Sequence, residues 1–338
     1  MPEKVYDLSE NVNAFGFPAA IKEKWHQLLH HIVTYPHPEA EPLRTLLAQK
    51  HHVKRENLLI GNGAAELLTF FAGRFTNQKV IIVHPTFSEY KTTLEAQKAK
   101  LLELVVENIT DYQLPIEKIK KQMKDAACLY LCNPNNPTGS LIPKKTIEEL
   151  LIYGEAVGCE ILVDEAFMDW TDETQSVIPL IEQYSNLTVL RSMTKMYGIA
   201  GIRLGYFIGR KELVEELNNK LPHWHVNALA IEIGKWCLED EAFRHESIAK
   251  HTEIKAALEH YLRQKQCIIT DSATNFLCFQ LKEPEKTRDF YFYCLRKGVV
   301  LRHTENFYGM DGKWLRIGIK RKEAMEKFQQ VMDEWYGQ

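Results

Sequence analysis

The chain has 338 residues, of which 45% are hydrophobic, and a formal net charge of −3. This length suits one large or two medium globular domains. The slightly acidic charge offers no basic surface for nucleic acid or an anionic membrane, and no apolar run approaches the ~20 residues of a membrane helix. We therefore expect neither a nucleic-acid partner nor a membrane partner.

The compartment and the metal content are predicted from the N-terminus and the cysteines. Met1–Pro2–Glu3–Lys4 contains no apolar signal core. The seven cysteines are scattered along the chain and form no Cys-x-x-Cys pair, which favours a reducing compartment and argues against a disulfide or zinc framework. The sequence predicts a cytoplasmic protein without a bound metal.

Strand and helix patterns alternate through the first part of the chain. The predicted strands are 57–60, 80–83, 128–131, 160–163, 187–190 and 205–208. The predicted helices between them are 64–74, 88–98, 143–157 and 211–220. Because the strands are almost wholly apolar and helices separate them, we expect an α/β fold whose mainly parallel sheet is covered by helices on both faces. Ligands of such sheets bind beyond the carboxyl ends of the strands.

A different pattern follows residue 240 and predicts a smaller α+β domain. Its predicted elements are a long helix at 241–266, a strand at 276–279, a helix near 285–297, strands at 299–301 and 314–319, and a last helix at 321–336. We expect three parts: an N-terminal arm (1–30) that packs with the small domain, a large domain (31–240), and the small C-terminal domain (241–338).

The most informative motif is Ser192–Met193–Thr194–Lys195, with Arg203 eight residues further on. Lys195 offers an amine that can form a Schiff base, and the two hydroxyls and the guanidinium can bind a phosphate. These are the groups that pyridoxal 5'-phosphate (PLP) requires. A lysine after a threonine is often an ordinary surface residue, so the motif needs support from the rest of the chain.

Further motifs follow the other predicted strands. Gly61–Asn62–Gly63–Ala64–Ala65 opens a helix whose free N–H groups can bind an anion. Phe87 can stack on a flat heterocycle, and Asn136, in the rigid turn Asn133–Gly139, can donate to a phenolate-like oxygen. Asp164 ends a buried strand, where it is costly unless it meets a cation such as a protonated pyridine nitrogen. A helix cap or a buried salt bridge is the structural alternative for Asp164.

In this order the motifs resemble those of the fold-type I PLP enzymes, the aspartate aminotransferase superfamily, over nearly the whole chain. The resemblance implies that fold and two catalytic residues, Lys195 as the Schiff-base lysine and Asp164 at the pyridine nitrogen. It also implies Asn136 at the ring O3' and Phe87 stacked on the ring. The residues implied around the phosphate are Gly63, Ala64, Ala65, Ser192, Thr194 and Arg203.

Two further positions bear on the cofactor. Tyr35 matches the tyrosine that reaches the phosphate from the partner subunit, so the resemblance implies a homodimer with shared active sites. Phe167 stands where many members of the superfamily carry a tyrosine whose hydroxyl bonds O3'. Its absence leaves Asn136 alone at O3', which should alter the pKa of the Schiff base.

Within the superfamily the chain resembles two groups, the L-threonine-O-3-phosphate decarboxylases of cobalamin biosynthesis and the histidinol-phosphate aminotransferases. The sequence around Phe167, the string Val226–Ala230 and the pair Arg302 and Arg316 resemble the decarboxylases more. Arg316 would bind the substrate carboxylate, with Asn136 beside it, and Arg302 would take a substrate phosphate. A surface ion pair is the alternative for Arg302.

The N-terminal sequence argues against the decarboxylases. The decarboxylases carry an extra leading segment rich in Gly and His, whereas this sequence enters directly at Asp7–Asn13. This counts against phosphate recognition of that kind.

Three hypotheses therefore remain. The first is a decarboxylase that acts on an O-phospho-amino acid, and the second is an aminotransferase for histidinol phosphate or for an aromatic or neutral amino acid. The third is a non-catalytic PLP-binding regulator. It is disfavoured because only about 30 residues precede the fold, too few for a DNA-binding domain, and because Lys195 is retained. Both enzymatic hypotheses use Lys195, and the orientation of the substrate carboxylate separates them.

Overall fold

The fold contains a seven-stranded sheet and a four-stranded sheet, and a third sheet of two strands includes a strand from the N-terminal segment. The computed structural model describes residues 4–337. The strands are β1 (Tyr6–Asp7), β2 (Leu58–Gly61), β3 (Lys79–His84), β4 (Lys100–Val105), β5 (Cys128–Cys132), β6 (Glu160–Asp164), β7 (Leu187–Ser192), β8 (Gly205–Ile208), β9 (Ile268–Ile269), β10 (Phe276–Gln280), β11 (Val299–Val300), β12 (Arg302–His303) and β13 (Leu315–Gly318). The helices are α1 (Ala19–Glu23), α2 (Leu43–Lys50), α3 (Ala64–Ala72), α4 (Ser88–Ala96), α5 (Ile116–Met123), α6 (Lys144–Val157), α7 (Lys211–Asn218), α8 (Ala228–Glu239), α9 (Glu241–Gln264), α10 (Thr287–Arg296) and α11 (Lys322–Tyr336).

The large sheet has the strand order β2-β8-β7-β6-β5-β3-β4. Strands β3 to β7 pair in parallel, whereas β8 runs antiparallel to both of its neighbours. The predicted α/β fold with a mainly parallel sheet is therefore confirmed. Strand β4 has no predicted counterpart, because Lys100 and Glu103 interrupt its apolar pattern, as an edge strand tolerates.

Apolar side chains cover both faces of the large sheet. Leu129 and Ile161 belong to the core on one face, and Tyr130 and Leu162 belong to the core on the other. Successive residues of a strand point to opposite faces, so wholly apolar strands need helices on both sides. This arrangement exposes only the strand ends, where the predicted motifs lie.

The small sheet is antiparallel, with the order β12-β13-β10-β9. It has a separate core that includes Phe279, Phe290 and Phe328. The predicted smaller α+β unit is therefore present. In the described residues no helix combines the length and the apolar character needed to cross a membrane.

The N-terminal segment runs along both units. Strand β1 pairs in parallel with β11, and Leu8 is buried in the core of the small sheet. Ile21 and Leu28, by contrast, are buried in a core of the large sheet. The predicted arm 1–30 thus contacts both units rather than the small one alone, and its first three residues lie outside the described part. The division into three domains stays a prediction.

Candidate active site

One cavity of about 440 Å³ lies at the carboxyl ends of β5, β6 and β7, facing the small sheet. Its volume is within the range of small-molecule pockets. All the predicted cofactor and substrate residues line it except Gly63 and Tyr35. Parallel strands end at one edge of a sheet, which is why motifs far apart in sequence meet here.

One wall of the cavity is built to receive an anion. The helix α3 begins after Gly63, whose φ of +83° favours glycine, and no side chain caps its first N–H groups. A Cβ on Gly63 would lie 2.7 Å from Nη2 of Arg203, so the guanidinium lies against the loop. The free N–H groups, the positive end of the helix dipole and Arg203 together favour a phosphate.

The segment after β7 adds hydroxyls and an amine to this wall. Ser192 Oγ and Thr194 Oγ1 are 2.7 Å apart and both line the cavity. Burial lowers the pKa of Lys195, and the positive charges of Arg203 and Arg316 lower it further. A lysine with a lowered pKa presents a neutral amine more readily, as a nucleophile or a base requires.

Asp164 is held at two points at the end of β6. Its Oδ2 accepts a hydrogen bond from the Tyr90 hydroxyl at 2.6 Å, and its Oδ1 accepts one from the Ala166 N–H at 3.0 Å. Burial raises the pKa of Asp164, whereas these two hydrogen bonds and the charge of Lys195 oppose the rise. No cation of the described residues forms an ion pair with this carboxylate, so a protonated ring nitrogen can take that place.

The turn after β5 holds Asn136 by hydrogen bonds within the turn and to its neighbours. Asn133 Oδ1 accepts from the Ile142 N–H at 2.7 Å, and Asn135 Nδ2 donates to the Pro85 carbonyl at 3.1 Å. Asn136 Oδ1 accepts from Arg316 Nη1 at 2.6 Å. The backbone N–H of Asn136 donates to Cys132 Sγ at 3.4 Å, whereas the side-chain Nδ2 has no partner in the described residues and can donate to a ligand.

Two phenylalanines provide the apolar surfaces of the cavity. The Phe87 ring meets the Tyr90 ring edge-on, with centroids 5.6 Å apart. Phe167 packs in the same manner against Phe276 at 4.9 Å. Phe87 therefore offers a flat apolar face, and Phe167 forms an apolar wall without a hydroxyl.

The small sheet contributes Arg302 and Arg316, which are directly opposite each other on β12 and β13. Arg316 is buried and donates to Asn136 and, through Nη2, to the Ser9 carbonyl at 2.7 Å, while its Nε has no partner in the described residues. Burial lowers the pKa of Arg316 to about 10. Arg302 donates to Asn306 Oδ1 at 2.8 Å and to the His303 carbonyl at 3.0 Å. No carboxylate of the described residues pairs with either arginine.

Tyr35 lies outside the cavity of its own chain. Its side chain is 81% exposed, and its ring packs against the Trp224 ring with centroids 4.9 Å apart. The described part of the chain thus gives Tyr35 no contact with its own pocket. Its predicted role from a partner subunit stays a prediction.

Some residues in the cavity or directly behind its lining have no role predicted from the sequence. Ser9 and Glu10 line it from the N-terminal segment, and Glu10 is exposed with no ion pair in the described residues. Tyr90 bonds Asp164, and Cys132 lies in the lining. No motif marks these residues, because only the folded chain brings them to the strand ends.

The cavity fits PLP in each of its parts. The amine of Lys195 suits the aldehyde, the wall of α3 and Arg203 suits the phosphate, Asp164 suits the pyridine nitrogen, and Phe87 suits the ring. No group of described residues has the spacing of a metal site. The predicted absence of a metal stays a prediction.

Comparisons with known proteins identify the superfamily that the sequence motifs resemble. The family model for class I and II aminotransferases matches residues 3–331. A Caldanaerobacter subterraneus protein that bears the name threonine-phosphate decarboxylase is 32% identical over 320 residues, which are 93% of this chain and 85% of that protein. A histidinol-phosphate aminotransferase from Pyrococcus furiosus is 32% identical over 336 residues, 97% and 91% of the two chains. The crystal structure of the histidinol-phosphate aminotransferase from Clostridium acetobutylicum has a TM-score of 0.92 at 26% identity, covering 98% of this chain and 99% of that one.

Proposed function

Because this chain belongs to the class I and II aminotransferases, which depend on PLP, we propose that it is an enzyme for an amine substrate that carries a phosphate. The first candidate reaction is the decarboxylation of an O-phospho-amino acid such as threonine phosphate. The observation that carries this proposal is the pair Arg302 and Arg316, two neighbouring cations in the cavity with no acidic partner among residues 4–337.

The cofactor would be held by the residues that the sequence singled out. PLP, when bound, supplies an electron sink for the bond that breaks at the substrate Cα. We assign Lys195 to the aldehyde, Asp164 to the pyridine nitrogen and Asn136 to O3'. The N-terminus of α3 with Arg203 would hold the phosphate, because no side chain of the described residues caps the first N–H groups of α3 and the Arg203 guanidinium lies beside them. Arg203 Nη1 donates to the Ala200 carbonyl at 3.1 Å, which orients the guanidinium.

The two arginines would orient the substrate. Among residues 4–337, Arg316 has an unpartnered Nε and no counter-charge, so a substrate carboxylate would complete its hydrogen bonds. Arg302 would bind the second anion, the phosphate. For a substrate with a carboxylate on Cα, the orientation that the arginines impose on this group would decide which bond breaks: one orientation would favour loss of CO2, and another would let Lys195 act as the base for the Cα proton.

The relative from Caldanaerobacter supports decarboxylation as the first candidate. An apolar wall lies behind Arg316: its guanidinium lies over the Phe276 ring, 5.4 Å from the centroid, and Phe276 packs against Phe167. This wall would bound the substrate site in either reaction.

The second candidate is an aminotransferase of the histidinol-phosphate type. It is favoured by the structural likeness to the Clostridium enzyme and by the similarity to the Pyrococcus enzyme. Lys195, with its lowered pKa, suits the proton transfer that this reaction needs.

One product assay distinguishes the two candidates. The enzyme is incubated with threonine phosphate or histidinol phosphate, each with and without 2-oxoglutarate. The first candidate predicts CO2 from threonine phosphate without an acceptor. Turnover that strictly requires 2-oxoglutarate, with no CO2, would reject it in favour of an aminotransferase.

A homodimer with shared sites is part of the proposal. Tyr35 and the neighbouring Val33, which is 83% exposed, lie in a segment that also exposes Trp25, Leu29 and Ile32. A cluster of exposed large apolar side chains is typical of a protein interface. We expect mixtures of Lys195→Ala and Tyr35→Ala chains to regain about a quarter of wild-type activity, because hybrid dimers contain one intact site. No recovery, together with a monomeric mass in sedimentation, would contradict the dimer.

The predicted compartment is supported by the cysteines. All seven are unpaired and buried. Thiols that remain unpaired are usual in a reducing environment. We therefore retain the cytoplasm as the proposed location.

A further inference from the structure

Tyr90 is a buried residue that the roles assigned above leave unused. Its hydroxyl donates to Asp164 Oδ2 at 2.6 Å, and its side chain is wholly buried. Such a short distance is typical of a hydroxyl that donates to an ionised carboxylate. We propose that Tyr90 is a positioning residue for the cofactor, whose hydroxyl keeps Asp164 ionised and aimed at the pyridine nitrogen. This inference rests on the role that the proposed function gives to Asp164.

The hydrogen bonds around Asp164 support this role. Tyr90 bonds one carboxylate oxygen and the Ala166 N–H bonds the other, so the carboxylate is fixed at both ends. Burial raises the pKa of Asp164, and the Tyr90 hydrogen bond is the largest of the effects that oppose this rise. Without the hydroxyl, a single backbone N–H would hold the buried carboxylate.

The proton between Asp164 and the pyridine nitrogen gives this hydrogen bond a chemical consequence. A shared proton resides on the more basic of the two groups, and a donor to the carboxylate lowers the basicity of that carboxylate. Tyr90 therefore leaves the proton on the ring nitrogen, where it strengthens the electron sink. The hydroxyl acts through Asp164 and needs no contact with the substrate.

The packing of Tyr90 allows this hydroxyl to be tested alone. Its ring contacts the Phe87 and Tyr130 rings, each with centroids 5.6 Å away. Tyr90→Phe keeps these ring contacts. Tyr130 is a matched control, because it is almost wholly buried in the same cluster and its hydroxyl has no hydrogen-bond partner in the described residues.

The experiment measures PLP affinity of the cofactor-free enzyme across pH, together with urea unfolding. We expect Tyr90→Phe to weaken PLP binding by about tenfold to about a hundredfold near neutral pH. The fall in PLP affinity at low pH, which we call the acid limb, should move to higher pH in Tyr90→Phe, because binding requires ionised Asp164. Tyr130→Phe should stay within about twofold of wild type, since it removes an unpartnered hydroxyl. If Tyr90→Phe behaves like Tyr130→Phe and keeps the wild-type affinity and acid limb, the proposal is overturned.

A double-mutant cycle shows whether Tyr90 acts through the carboxylate. In the Asp164→Asn background, Tyr90→Phe should add less than about twofold to the loss of PLP affinity. An equal loss in both backgrounds would contradict the proposal. The acid limb does not depend on the amount of folded enzyme, so it decides the question even if Tyr90→Phe is less stable. An Asp164→Asn enzyme that binds PLP normally would reject the assignment of Asp164, and none of these readouts depends on the reaction catalysed.

Discussion

The large sheet and the small sheet each bury an arginine, and the two arginines are held in opposite ways. Arg191, on β7, is 1% exposed and pairs with the carboxylates of Glu165, Asp169 and Glu173. Arg316, on β13, is 7% exposed, and in the described residues its hydrogen-bond acceptors are an amide and a backbone carbonyl. The first guanidinium is neutralised within the chain, and the second is not.

The pKa values of the two arginines reflect this difference. Burial acts on both, but the surrounding carboxylates raise the pKa of Arg191 far above its ordinary range. Burial without such carboxylates lowers the pKa of Arg316 to about 10. A buried cation with its partners is part of the structure, whereas a buried cation without them marks the place of a ligand anion.

The largest expected effect comes from Lys195, a partly buried amine that forms no ion pair within residues 4–337. Lys195→Ala should lower turnover by at least about a thousandfold, because it removes both the attachment of the cofactor and the base. The visible absorption of the bound cofactor should also be lost. Lys255→Met is the control, since Lys255 is another lysine whose pKa is lowered by burial, but it bonds the Ser272 carbonyl away from the cavity. Activity that survives Lys195→Ala would refute the assignment.

The difference between the two arginines should be visible in the free energy of unfolding. Arg191→Met should lower the free energy of unfolding of the cofactor-free protein by about 3–5 kcal/mol, because it leaves Glu165 buried without its cation. Arg316→Met strands no carboxylate and should cost far less. Urea unfolding of both variants measures the difference. Equal losses would mean that the carboxylates around Arg191 do not distinguish the two sites.

Replacing Arg316 should affect catalysis rather than stability. Arg316→Met should lower kcat/KM by about a hundredfold or more for every amino acid accepted, because the substrate carboxylate loses its charged partner. Steady-state kinetics on a phosphorylated and an unphosphorylated amino acid measure this loss. A variant with unchanged kcat/KM would remove Arg316 from the substrate site.

Arg302 should have a smaller and more selective effect. Arg302→Met should weaken phosphorylated substrates by about tenfold to about a hundredfold, because one charge-assisted contact to the phosphate is lost. Unphosphorylated amino acids should be nearly unaffected. The same pair of substrates used for Arg316 provides the control. An equal loss on both substrates would show that Arg302 does not read the phosphate.

The two sides of the cavity also differ in how far the sequence predicts them. The cofactor side could be predicted because its residues directly follow strands and lie in turns with local signals, such as Gly63 and the turn Asn133–Gly139. The substrate side depends on contacts between distant segments, for example the bond from Arg316 to the Ser9 carbonyl. Tyr90 has the sequence context of an ordinary core tyrosine, and only its position in the fold brings it to Asp164. The edge strand β4 escapes prediction for a different, local reason, because Lys100 and Glu103 interrupt its apolar pattern.

The smallest expected effect is the pH dependence of stability that Lys195 causes in the cofactor-free protein. Burial lowers the pKa of Lys195 below the value of 10.5 that applies to the unfolded chain. Between these two pKa values the unfolded chain binds more protons, so the contribution of Lys195 to stability rises with pH. Below the lowered pKa, the folded protein bears the full cost of desolvating the charged amine, and Lys195→Met should therefore be more stable than wild type there. The difference in the free energy of unfolding between Lys195→Met and wild type, the stability gap, should narrow as the pH approaches 10.5. Arg191→Met has the opposite sign, because it lowers stability at neutral pH. Urea unfolding of both proteins at several pH values measures the gap, and a gap that does not change with pH would show that the folded site imposes no cost on the charged amine.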